Sequence, residues 1–120
     1  MEDVRIILAF LWVATMLVYL LGDVMRIFAG DFTPGEMDGK PAPKGTWEAA
    51  AAIMVLPIIM VVLTMILEKP VNKWVNVIVA IIFLLFNLAG IAGYKPYDVF
   101  LLIISMGFNL IVVWTAWNWI

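Results

Sequence analysis

Four uncharged, mostly apolar runs limit what this chain can fold into: Ile6–Gly22, Ala49–Leu67, Trp74–Tyr94 and Val99–Ile120. About 20 residues of helix, rising about 1.5 Å each, cross a hydrocarbon layer of about 30 Å. A backbone in lipid must satisfy its own polar groups, which helices and closed barrels do. The runs lack the two-residue alternation of barrel strands. The expected fold is therefore all-α, a four-transmembrane-helix bundle, antiparallel and up-down-up-down. Helices are expected near 5–29, 47–67, 73–93 and 97–119, in one integral membrane domain over 1–120 with a long polar loop at 30–46. Hydrophobic residues make up 66% of the chain and charged ones 13%, a balance suited to a bilayer rather than to water.

Neither cysteine nor histidine occurs, which removes disulfides, thiolate chemistry, iron-sulfur and haem ligation and the usual zinc ligands. No metal and no cofactor is expected. A nucleophile beside a base, closely paired carboxylates and a phosphate-binding glycine loop are all missing, so catalysis is not expected either. The net charge of −2 comes without a basic cluster, which argues against a nucleic-acid partner. Glu2 and Asp3 open the chain without a basic n-region, so the first run is read as a retained helix and not as a signal peptide.

In chain order, the first helix is expected to end near Gly30. The stretch Asp31–Thr46 (DFTPGEMDGKPAPKGT) concentrates glycine, proline and both charge signs, and reads as a solvent-facing connector or a lid. Thr46 is the expected N-cap of the second helix, with Glu48 at its positive end. Ala49–Ala52 offers the small-residue surface that packs helices in membranes. Pro57 removes a backbone donor at mid-span and is expected to bend the helix. Glu68–Lys73 reads as a tight turn that makes the second and third helices antiparallel neighbours. On the third helix Asn72, Asn76, Phe83, Asn87 and Gly90 share a face, and on the fourth Asp98, Ser105 and Asn109 do so. Four spans put Trp74, Trp114, Trp117 and Trp119 at the end carrying the termini and Trp47, Tyr94 and Tyr97 at the other, as two aromatic belts. The lysine and arginine counts of the two sides nearly tie, and the short flanks lean towards cytoplasmic termini in the cytoplasmic membrane.

Charge inside an apolar run is the anomaly. Asp23 and Arg26 sit near the end of the first helix, and on a helix of about 100° per residue they share a face with Thr15 and Tyr19. Asn87 lies at a similar depth on the third helix, while Ser105 and Asn109 lie about 10 and 16 Å below Asp98 on the fourth. Tyr19, Asp23, Arg26, Glu48, Asn87, Asp98, Ser105 and Asn109, together with Tyr94 and Tyr97, therefore form a candidate polar vestibule opening towards the long loop. The competing reading pairs Asp23 with Arg26, makes the asparagines interhelical packing contacts, and leaves Glu48 and Asp98 as interfacial caps.

Leu11-Trp12 with Tyr19-Leu20 and Asp23, Met54 with Pro57, Lys73-Trp74 with Asn76, and the closing Val113-Trp114, Ala116-Trp117 and Trp119 resemble a known family. It is a domain-of-unknown-function family of small four-helix prokaryotic integral membrane proteins. The resemblance covers nearly the whole chain and implies fold and location, without an activity to carry over. Many members carry glutamates where this chain has Val55 and Ser105, so a function needing those carboxylates, such as proton coupling, is not expected. Small multidrug transporters share the length and the four-span plan, but depend on an embedded glutamate in the first helix that is missing here. Two functions follow as expectations. The first is a structural or accessory membrane protein associating with itself, as a homo-oligomer, or with a larger membrane complex. The alternative is a small oligomeric transporter or channel using the vestibule around Asp23.

Overall fold

The computed structural model describes residues 3–31, 33, 35–37, 40–90 and 95–119. It is an all-helical bundle of α1 (Asp3–Phe28), α2 (Thr46–Ile66), α3 (Lys69–Gly90) and α4 (Pro96–Trp117), with a two-stranded hairpin between α1 and α2. Each helix is long and apolar enough to cross a membrane.

Local chemistry sets the helix ends. α1 closes in a Schellman turn: Gly30 takes φ 77°, its N–H reaches the Ile27 carbonyl at 3.1 Å, and the Asp31 N–H reaches the Arg26 carbonyl at 3.0 Å. The expected N-cap at Thr46 is displaced by one residue. Gly45, at φ 86°, occupies the cap without a side-chain bond, and Thr46 is already helical. The expected turn over Glu68–Lys73 is also shorter than the sequence implies, because α3 begins at Lys69. Pro70 falls in its first turn, where a missing N–H leaves no helical bond unmade and the fixed φ favours the start of a helix. Pro96 opens α4 in the same way. Within the long loop, β1 (Glu36–Met37) pairs antiparallel with β2 (Lys40–Pro41), a hairpin the loop's composition does not announce. α2 runs through Pro57 without interruption.

α1 and α4 form the middle of the bundle. α1 packs along both α2 and α4, and α4 packs along α3, whereas α2 meets α3 only sparsely despite their short connection. Across the bundle α1 still reaches α3, with Trp12 and Tyr19 each 6.2 Å, centroid to centroid, from the Phe83 ring. Leu8, Trp12, Met60, Val77, Ala80, Phe83, Val112, Ala116 and Trp119 form the apolar core. In an up-down-up-down bundle most of these residues fall in the half nearer the termini, with Ala80 and Phe83 near mid-span. The half nearer the loops is packed differently and carries the polar cleft described below.

At the terminal end Trp74 and Trp117 meet edge to face at 5.7 Å, and the Lys73 ammonium lies 5.8 and 5.5 Å from their centroids. Arg5 covers Trp119 at 5.7 Å. Apolar side chains dominate the outer surface, with Phe10, Phe28, Ile66 and Trp114 among the most exposed. Such a surface would be an aggregation hazard in water and is ordinary against lipid tails. Together with the helix lengths it suggests a membrane protein.

Candidate functional site

The inward line of α1 runs Leu8, Trp12, Thr15, Tyr19, Gly22, Arg26, at alternating spacings of four and three, with Tyr19 and Arg26 half-buried and the others buried. Gly22, rather than Asp23, continues the stripe inward, and the Asp23 side chain is 60% exposed at its edge. Asp23 lies at the rim of the cleft that Tyr19 also lines. Asp23 and Arg26 still form the expected i, i+3 ion pair. The guanidinium also reaches across to α4, where Nη1 donates to Asp98 Oδ1 at 2.8 Å. The Asp98 side chain is only 5% exposed and that of Arg26 31%. Asp98 is thus a buried interhelical partner and not an interfacial cap. A β-carbon built on Gly22 would lie 3.7 Å from both Arg26 Nη1 and Asp98 Oδ1. That is ordinary van der Waals distance, so a β-carbon would touch the cross-helix pair and a longer side chain would crowd it.

One level deeper, Asn87 of α3 donates to the Tyr19 hydroxyl at 2.7 Å and to Ser105 Oγ at 3.2 Å, and Ser105 donates to the Leu102 carbonyl. Three helices are tied together at this level. Above the ion pairs, the Tyr97 hydroxyl donates to Asp31 Oδ2 at 2.5 Å and joins the start of α4 to the segment after α1.

These groups border a cleft of about 120 Å³ that draws lining residues from all four helices. Tyr19, Asp23, Arg26, Asn87 and Asp98 supply its polar wall, and Met54, Phe83, Phe86 and Leu101 belong to its apolar one. Of the other expected residues, Ser105 is buried behind Asn87, and Asn109 is buried one turn further along α4. Glu48 is exposed in the first turn of α2 and does not line the cleft. Tyr94 lies outside the described residues, and Gly90, expected on the polar face of α3, is exposed.

A second polar cluster sits at the terminal end. Trp12 Nε1 donates to Asn76 Oδ1 at 2.7 Å, and Asn76 Nδ2 donates to Asn72 Oδ1 at 2.7 Å. Asn72 Nδ2 reaches the Thr64 and Leu67 carbonyls at 2.7 and 3.3 Å. Carbonyls in the last turn of a helix have no intrahelical partner, so Asn72 caps the end of α2 from α3. The role is structural, tying the end of α2 to the start of α3.

An apolar four-helix bundle with a polar cleft in one half and a hydrogen-bonded seam in the other defines the class of protein at hand, a small helical protein of suggested membrane type. The chain belongs to the Family of unknown function (DUF6326), whose family model covers residues 1–120. No curated protein and no solved structure matches it.

Proposed function

We propose that the protein binds a small organic cation in the cleft at its loop end, as a carrier or channel of the membrane and without catalysing a reaction. The observation that supports this reading is the sharing of one guanidinium between two carboxylates. Arg26 neutralises one negative charge, and Asp23 with Asp98 supply two, so the polar wall retains one net negative charge beside aromatic rings. Tyr19, Phe83 and Phe86 line the same cleft, and aromatic rings attract cations through their quadrupoles. An engineered cavity of about 150 Å³ binds benzene, so about 120 Å³ takes a solute of about five or six heavy atoms.

The test is a titration of alkylammonium ions of increasing size into protein in lipid nanodiscs, read as thermal stabilisation. Small members are expected to stabilise the wild type. Asp98→Asn removes the buried charge and Gly22→Leu fills the cleft without removing any charge, so both should lose the response. A response that persists unchanged in both variants would overturn the reading.

The exposed alanines of α2 favour a second role, association. Ala49, Ala51 and Ala52 face outward on α2, which packs along α1 but only sparsely against α3, and small residues allow close approach of another helix. Ala51→Leu is expected to weaken assembly while leaving insertion intact, since leucine suits lipid. An unchanged assembly mass in nanodiscs would count against it.

A further inference from the structure

Asn109 is fully buried on the inner face of α4, and among the described residues neither its Nδ2 nor its Oδ1 has a hydrogen-bond partner. The other buried polar side chains, Thr15, Thr64, Asn72, Asn76, Asn87, Asp98 and Ser105, each make at least one. A buried amide with both ends unmet is rare in native structures and unfavourable, because it gives up water and gains nothing in exchange.

The surroundings of Asn109 show what meets this need. The Tyr19 hydroxyl lies beside it. That hydroxyl accepts from Asn87 in its described hydrogen bond, so its own proton still requires an acceptor. Ser105 stands one turn away on the same helix, its oxygen bonded to Asn87 and to the Leu102 carbonyl. A direct contact between the Tyr19 hydroxyl and Asn109 meets only one end of the amide, so the other end still requires a partner. A water molecule accepts two hydrogen bonds and donates two, and buried waters typically make about three.

We propose that Asn109 and Tyr19 hold an internal water, which extends hydration from the cleft to the middle of the bundle. The water accepts from the Tyr19 hydroxyl and from Asn109 Nδ2, or bridges Tyr19 to Asn109 Oδ1. Hydration ends at the next layer, where Phe83 packs on Trp12 and Val112 and Ala80 are completely buried. The site depends on the two side chains and not on which solute occupies the cleft, so it stands or falls separately from cation binding.

The experiment is NMR of the side-chain amide groups in detergent-solubilised full-length protein. The Asn109 amide is identified by its loss in Asn109→Leu, or in Asn109→Ala should leucine prevent folding. A cross-peak between this amide and water is expected in the wild type, and a several-fold weaker one in Tyr19→Phe, which removes a donor to the water. Thermal unfolding supplies a second reading. A dry, unmet amide would make Asn109→Leu clearly more stable than wild type, whereas loss of a bound water leaves the melting temperature unchanged or lower. A resolved Asn109 amide with no contact to water, or a clear rise in melting temperature in Asn109→Leu, overturns the proposal.

Discussion

Arg26→Leu is expected to destabilise the protein by about 3 kcal/mol, the lower end of the range for removing one partner of a buried pair. The substitution strands Asp98, whose side chain is 5% exposed and whose described ionic partner is Arg26. The estimate sits at the low end because the Arg26 side chain is 31% exposed, so water softens the pair. Asp23→Asn should cost less than about 1 kcal/mol, since the pair it breaks is largely in solvent and Arg26 keeps Asp98. The ordering matters more than the sizes. If Asp23 were the principal partner of Arg26, Asp23→Asn would leave the guanidinium without a carboxylate and would be the more damaging change. Replacing Arg26 and Asp98 together by leucine should recover much of the loss, as neutral replacements of buried pairs commonly do. Melting of the three variants in nanodiscs checks this, and equal losses for Arg26→Leu and Asp23→Asn would contradict the cross-helix pairing.

Helix number, order and chain direction follow from four apolar runs, because a run of that length has few other ways to satisfy its backbone away from water. Helix rotation is harder to read. Along α1 the interior line is visible as alternating four- and three-residue steps from Leu8 to Arg26, yet the charge of Asp23 draws attention away from Gly22, which occupies the inward position. A strict spacing rule finds Gly22, whereas a search for polar residues does not. The Arg26–Asp98 bond joins residues 72 positions apart, and nothing local to either residue fixes which helices pack together. Thr64 raised no expectation because α2 is apolar nearly all round, leaving no face to mark as interior. Asn72, Asn76, Phe83 and Asn87 were legible as one face of α3, and all four are buried. Their division of labour was not, since Asn72 and Asn76 serve the end of α2 while Asn87 serves the cleft.

This division separates what holds the bundle together from what shapes its cleft. The terminal half combines the apolar core with a polar cluster whose members satisfy one another. The loop half spreads its polar groups around open volume. Substitutions in the first half should therefore register mainly as lost stability, and those in the second mainly as altered occupancy of the cleft. Arg26 is the exception, since it belongs to the cleft and yet neutralises a buried charge.

Asn76 is the centre of the terminal cluster, and Asn76→Leu is expected to be among the most damaging single substitutions in the chain. Its amide accepts from Trp12 Nε1, donates to the Asn72 side chain and carbonyl, and exchanges longer bonds with Thr64. Leucine has similar volume, so the cost comes from hydrogen bonding rather than from a cavity. The indole N–H of Trp12, which is fully buried, loses its described acceptor, and an unmet buried donor costs about 1–3 kcal/mol. Asn72 Oδ1 and Thr64 Oγ1 lose partners as well, and the total should reach about 3 kcal/mol or more, less than a strict sum because the three groups form one network. A second change isolates the first term. In Asn76→Leu with Trp12→Phe the orphaned indole N–H is gone, at the expense of some buried area, so the second substitution should cost much less in the Asn76→Leu background than in the wild type. Unfolding of the two single variants and the double variant gives the coupling directly. Strict additivity would mean that Trp12 and Asn76 do not depend on each other, and the terminal cluster would then be a set of neighbours rather than a network.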